Sequence, residues 1–138
     1  MSTLVVGYDG TDGARAALHA AAELATELGD DVVAVFGYSI GRLGGEVVDY
    51  ARAVKEHGEA MLQEAQRLAG DAGVEIDTVL RESEIAECLI AVGDERDARM
   101  IVVGSYGARP LKSALVGSTP TRLLHLSERP VLVVRAPE

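Results

Sequence analysis

LVVGYD, Leu4 to Asp9, is a short apolar run that ends at a carboxylate and is followed by Gly10. A run without polar residues on either face is typical of a buried strand in a parallel sheet. Similar runs recur along the chain, and one of them, VEIDTVL, alternates in part. They are DVVAVFGY (Asp31–Tyr38), VEIDTVL (Val74–Leu80), MIVVG (Met100–Gly104) and PVLVVR (Pro130–Arg135). We therefore predict five strands.

Between these strands, apolar residues recur at helical spacing, which predicts four helices. Small polar residues, glycines and a proline mark where the helices begin and end. The first helix is expected to begin at a cap, Thr11 or Asp12, and to end at Gly29. The second is a long helix from about Glu46 to Leu68. The third is capped by Ser83, and the fourth begins at Pro120.

Alternating strands and helices predict an α/β fold in which helices cover both faces of a doubly wound parallel sheet. With right-handed crossovers, the expected strand order is 3-2-1-4-5 in a single domain over residues 1–138. The winding reverses between strands 1 and 4, and ligands of such folds bind in the crevice at the carboxyl ends of these strands. Asp9 follows strand 1 and Gly104 follows strand 4, so both are expected at this crevice.

The composition excludes several classes of partner. The net charge of −9 repels nucleic acid and anionic membranes, and no apolar stretch approaches the roughly 20 residues that span a bilayer. A single cysteine, Cys88, excludes an intramolecular disulfide and lies on an apolar helix stripe. The three histidines are far apart, so no metal site is expected. We expect a soluble cytoplasmic protein that uses no nucleic acid or membrane partner.

The segment GSYGARPLKSALVGST, Gly104 to Thr119, joins the fourth strand to the fourth helix. Glycines let the backbone approach an anion closely and adopt positive φ, and a helix N-terminus attracts phosphate. Lys112 adds positive charge, with Arg109 as a second candidate. The segment is neither a Walker A loop nor the dinucleotide GxGxxG motif. From composition alone, an ordinary turn remains an equal alternative.

The spacing Gly104-x2-Gly107-x9-Gly117-Ser118 resembles the nucleotide-binding pattern of the universal stress protein family, in its ATP-binding subgroup. VVGYDGT and PVLVVR resemble the opening and closing strands of that family. The resemblance implies the adenine nucleotide alpha hydrolase-like fold, bound ATP with or without Mg²⁺, and a homodimer. It places Gly7, Tyr8 and Gly37 at the base, Asp9 at the ribose or the adenine end, Val103 and Gly104 beside the ribose, and Gly107, Gly117, Ser118 and Thr119 at the phosphates.

Two features depart from the family pattern or compete with it. Tyr106 and Ala108 stand where the family often has basic residues. Asp9 has an alternative role as a cap of the first helix. A homodimer is expected through the edge strand, Pro130 to Arg135, because this strand is apolar and lacks protective charges. The competing interpretation is that the tail, Ala136 to Glu138, or a helix covers this edge and the chain stays monomeric.

We expect a nucleotide-binding regulatory or stress-response module that is not an enzyme and hydrolyses ATP slowly at most. The alternatives are a dimeric stress protein without nucleotide and a slow ATPase. A dedicated nucleotidyl transferase or pyrophosphatase would need a HIGH or SGGxDS motif, which the sequence lacks. A phosphorylated receiver domain would need an aspartate after strand 3, where the chain reads Leu80-Arg81-Glu82.

Overall fold

Strands and helices alternate along the chain in a computed structural model that describes residues 2–39, 47–105 and 117–137. The strands are β1 (Thr3–Gly7), β2 (Asp31–Tyr38), β3 (Ile76–Glu82), β4 (Met100–Gly104) and β5 (Val131–Val134). The helices are α1 (Asp12–Leu28), α2 (Val47–Asp71), α3 (Ile85–Glu95) and α4 (Ser118–Leu126).

The sheet is parallel, and its order β3-β2-β1-β4-β5 confirms the predicted topology. β1 is central: Val5 pairs with Val33 of β2 on one side and with Ile101 of β4 on the other. The winding therefore reverses between β1 and β4. The candidate site lies at the carboxyl ends of these two strands.

Both faces of the sheet are buried, as the apolar strands predict. Leu4 and Val6 pack in a cluster with residues of α1 and α2, whereas Val5 packs in a second cluster with residues of α3 and α4. Gly58 lets α2 approach the sheet, because a Cβ there would lie 2.7 Å from side-chain atoms of Phe36 and Leu80. These contacts hold α2 against the edge of the sheet formed by β2 and β3.

Several predicted boundaries were wrong by a few residues. β1 ends at Gly7, so Tyr8 and Asp9 lie beyond the strand. α2 continues through Gly70 to Asp71, because a glycine with ordinary helical φ weakens a helix without ending it. β3 is shifted by two residues and covers Ile76–Glu82.

The starts of two helices also differ from the prediction. α3 is capped by Glu84 instead of Ser83, because the longer carboxylate reaches the N–H groups of Ala86 and Glu87, both at 3.1 Å. α4 begins at Ser118, and Pro120 is its third residue. Proline is tolerated there since the N–H groups of the first turn have no partner within the helix. Thr11 caps α1, and Gly29 ends it with φ 71°, as predicted.

Arginine–carboxylate pairs join the elements at the amino ends of the strands. Arg99 Nε donates to Asp30 Oδ2 at 2.6 Å, and this hydrogen bond lowers the pKa of Asp30. Arg129 donates to the carbonyl oxygen of Ala98 at 2.6 Å and pairs with Asp94 at 3.4 Å. The crevice lies at the opposite end of the sheet.

Within the described residues, no helix is both long and apolar enough to cross a membrane.

Candidate functional site

A crevice of about 190 Å³ opens at the carboxyl ends of β1 and β4. It is lined by Gly7, Tyr8, Asp9, Thr11, Ala14, Phe36, Gly37, Ile85, Leu89, Val103, Gly104, Gly117, Ser118, Thr119 and Pro120. Every predicted site residue that the structure describes lies in this lining. The prediction for Gly107 falls outside the described residues, as do Tyr106, Ala108, Arg109 and Lys112.

The floor of the crevice is apolar. A Cβ on Gly7 would stand 3.4 Å from both Leu89 Cδ1 and Val103 Cγ1, so the glycine leaves open the space between these two side chains. Phe36 and Ile85 extend the apolar surface toward β2 and α3. A flat apolar group, such as a nucleobase, suits such a surface. Sequence reasoning missed Phe36, Ile85 and Leu89, which resemble ordinary core residues.

Gly37 and Gly104 have a packing role in addition to their place in the lining. A Cβ on Gly104 would lie 2.6 Å from the carbonyl carbon of Gly13, and a Cβ on Gly37 would lie 2.9 Å from the carbonyl oxygen of Ser83. For the segment that begins at Gly104, the sequence indicates both close backbone approach and positive φ as reasons for glycine. Neither residue has positive φ, so close approach of neighbouring backbone is the reason for both.

Asp9 takes part in capping α1, although it is not the cap itself. Its Oδ1 accepts the hydroxyl of Thr11 at 2.6 Å and the Thr11 N–H at 3.0 Å. Thr11 Oγ1 in turn accepts the N–H of Ala14 at 3.2 Å. This relay orders the turn after β1, and both Asp9 and Thr11 lie in the lining of the crevice. The interpretation that Asp9 itself caps α1 is therefore wrong: Thr11 is the cap, and Asp9 supports Thr11 from its place in the lining.

Three helices begin at the crevice, and they differ in charge. α1 has Asp12 in its first turn, and α3 has its cap Glu84 and Glu87. α4 has no acidic residue in its first turn, and no side chain of the described residues caps it. The partial positive charge at a helix N-terminus is therefore offset by carboxylates at α1 and α3 but not at α4. An anion is favoured at the start of α4.

The start of α4 is held against the end of β4. The Gly117 N–H donates to the carbonyl oxygen of Ser105 at 2.6 Å, and the Ser105 N–H donates to Val134 at 2.9 Å. Ser105 is 4% exposed, and its hydroxyl has no hydrogen-bond partner in the part of the chain that the structure describes. Gly117 has φ −63°, so positive φ is not the reason for glycine here either.

Tyr8 forms a polar contact that sequence reasoning missed. Its hydroxyl donates to Glu64 Oε1 on α2, and Arg15 NH2 donates to the same oxygen at 3.3 Å. Burial and the neighbouring Glu64 carboxylate raise the pKa of Tyr8 to about 12, and the hydrogen bond from Tyr8 lowers the pKa of Glu64. Tyr8 and Glu64 are 56 residues apart, and no local pattern links them.

The geometry and the sequence agree with one family. The model of the family described as "Universal stress protein family" matches residues 1–135 of this chain. The chain belongs to this family. Universal stress protein YxiE of Bacillus subtilis is 31% identical over 96% of this chain and 97% of its own length.

Solved universal stress proteins share the fold. One from Archaeoglobus fulgidus has a TM-score of 0.80 at 26% identity, over 97% of this chain and 98% of that one. Another, solved in complex with cAMP, has a TM-score of 0.76 at 26% identity, over 99% of this chain and 98% of that one. The predicted adenine nucleotide alpha hydrolase-like architecture is thereby confirmed.

Proposed function

We propose that this universal stress protein binds ATP in the crevice and acts as a nucleotide-dependent regulatory module. The observation that carries the proposal is the start of α4, the one helix N-terminus among the three described at the crevice without a carboxylate of its own. In a chain of net charge −9, an anionic ligand needs such a local site. The similar protein solved with cAMP supports an adenine nucleotide as the ligand.

The charges of the three helices suggest how the nucleotide is oriented. The phosphates lie at Gly117, Ser118 and Thr119, where the N–H groups and hydroxyls of Ser118 and Thr119 are available as donors, since the Gly117 N–H already donates to Ser105. The buried hydroxyl of Ser105, next to Gly117, fits a polar ligand nearby. The ribose lies toward Asp9, whose second carboxylate oxygen can accept a sugar hydroxyl. The base lies over Gly7 and Gly37, on the apolar side of the crevice.

We also propose that the protein is not a dedicated enzyme. Among the described lining residues, Asp9 and Tyr8 are the only ones with ionisable side chains. In the proposed complex Asp9 is bonded to Thr11 through one oxygen and to the ribose through the other, and Tyr8 is bonded to Glu64, so neither is left as a free general base. The described residues include no group of three or more acidic, histidine or cysteine side chains that could hold a metal. Any Mg²⁺ would therefore arrive with the phosphates.

The proposal includes a homodimer through β5. This strand pairs with β4 on one side and forms the edge of the sheet on the other. On the neighbouring α4, Leu124 and Leu126 are 61% and 51% exposed. An apolar edge strand beside exposed leucines is suited to pairing with a second copy.

We place the protein in the cytoplasm, where the free buried thiol of Cys88 remains reduced.

The test compares ATP with GTP by titration calorimetry, and identifies by mass spectrometry any nucleotide released from heat-denatured protein. We expect ATP to bind more tightly than GTP. Ser118→Asp is the decisive variant, because a carboxylate at the start of α4 favours the helix but repels phosphate. Ser118→Asn is its neutral control. Equal binding of both nucleotides would contradict the adenine assignment. Equal ATP binding by both variants would show that the phosphates do not bind at the start of α4.

A further inference from the structure

Tyr8 connects the crevice to α2. It lies in the lining of the crevice, and its N–H donates to the carbonyl oxygen of Val35 at 3.0 Å. Its side chain is 1% exposed and packs in the cluster formed with α1 and α2. A change at the buried hydroxyl is therefore connected directly to the backbone beside the ligand.

Glu64 is the partner of that hydroxyl. Its Oε1 accepts from Tyr8 and from both Nε and NH2 of Arg15, at 3.4 and 3.3 Å. Arg15 also donates to Asp12 in the first turn of α1, at 3.2 Å. One carboxylate on α2 thus joins the residue after β1 to the beginning of α1. The turn between these two anchors is Asp9–Thr11.

A second contact from α2 reaches the same turn. Gly10 has φ 82°, and a Cβ on it would overlap Met61 Sδ. Met61 is three residues before Glu64, so the two side chains lie on one face of α2. α2 therefore supports the turn at its middle and holds both of its ends.

We propose that Glu64 is a positioning residue of the crevice, which holds the turn Asp9–Thr11, through the Tyr8 hydroxyl, in the shape that presents Asp9 and Thr11 to a ligand. The inference concerns the turn itself and rests on the proposed function only for the identity of that ligand. The competing explanation is that Glu64 simply attaches α2 to the sheet, in which case its loss lowers overall stability without a specific effect on the turn.

The experiment measures amide hydrogen exchange at Thr11 and Ala14, whose N–H groups belong to the Asp9–Thr11 relay. Tyr8→Phe removes only the hydroxyl, and Glu64→Leu removes the acceptor. Glu64→Gln keeps an oxygen that accepts from Tyr8, so it should rescue the turn. The matched control is Asp30→Asn. Asp30 is a buried carboxylate that pairs with Arg99 and accepts the Ser2 N–H at 3.0 Å, at the far end of the sheet.

We expect exchange at Thr11 and Ala14 to rise about tenfold in Tyr8→Phe and Glu64→Leu, the factor that one lost hydrogen bond of ordinary strength supports. Glu64→Gln should exchange at nearly the wild-type rate, as should the control at these two amides. ATP affinity should fall in the same two variants and not in the control. Unchanged exchange in Tyr8→Phe, or an equal rise in Asp30→Asn, would overturn the inference.

The two proposals fail separately in this design. If the wild type binds no adenine nucleotide, the proposed function is wrong, while the exchange rates measured without ligand still decide the role of Glu64. If ATP binds to the wild type but Tyr8→Phe leaves both the exchange rates and the affinity unchanged, the positioning role is wrong and the proposed function stands.

Discussion

Gly117 and Ser105 are joined by a backbone hydrogen bond of 2.6 Å, which sets the start of α4 beside the end of β4. This contact brings two ends of the glycine segment to the same side of the crevice. It gives the N-terminus of α4, which no described side chain caps, a fixed position relative to the central strands.

Gly117→Val is expected to weaken ATP binding while the fold survives. Gly117 has φ −63° and ψ 172°, an extended conformation that valine adopts easily. The substitution is therefore expected to cause no backbone strain. The branched side chain would instead occupy space in the lining where phosphates approach. Ser118→Ala should cost only one hydroxyl donor, about 0.5–1.5 kcal/mol of binding. Calorimetry with circular dichroism separates the two effects, and full affinity in Gly117→Val would place the phosphate site elsewhere.

Gly104→Ala is expected to destabilise the fold by about 1–3 kcal/mol, the usual range for an overpacked core. The new Cβ would lie 2.6 Å from the backbone of Gly13, and neither backbone can move freely. Gly70→Ala is the control, because no atom lies within 4 Å of a Cβ there. This change in α2 should stabilise by roughly 0.5–1 kcal/mol. Urea denaturation measures both, and a neutral Gly104→Ala would show that β4 and α1 can separate at this point.

The unfolding free energy should decrease between about pH 10 and pH 12 because of Tyr8. Its pKa is raised to about 12 by burial and by Glu64, with Arg15 acting in the opposite direction. A raised pKa means that the folded chain retains a proton which the unfolded chain loses, so the contribution is complete below about pH 10 and lost above it. Tyr8→Phe should lack this decrease.

Denaturation curves at several alkaline pH values test this prediction, with tyrosinate absorbance as a second measurement. The comparison between the wild type and Tyr8→Phe removes the contributions of the other titrating groups. Parallel losses of stability in the two proteins between pH 10 and pH 12 would mean that Tyr8 ionises at its ordinary pKa.

The protein is expected to be a homodimer at low micromolar concentration, paired through β5. The two edge strands would run antiparallel about a two-fold axis and satisfy each other's N–H and C=O groups. Light scattering measures the mass directly. A mass near 14.5 kDa with a folded circular dichroism spectrum would contradict the dimer and favour a tail that covers the edge.

The architecture could be predicted from the sequence because each strand is a separate apolar run and each helix has its own period. The site was predicted in part for the same reason, since topology brings Asp9 and Gly104 to one crevice. The Glu84 cap was missed because serine is the commoner capping residue and the reach of glutamate depends on the path of the chain. The contact from Tyr8 to Glu64 arises only when α2 packs on the sheet, so no spacing along the chain indicates it.

The Arg99–Asp30 and Arg129–Asp94 pairs and the crevice occupy opposite ends of strands, about 15 Å apart for a strand of five residues. Effects of substitutions at such distances usually add independently. Substitutions of Asp30, Arg99 or Arg129 should therefore change the stability of the fold without changing the geometry of the crevice. The contacts that fasten these elements together and the candidate site are thereby separated along the length of one small sheet.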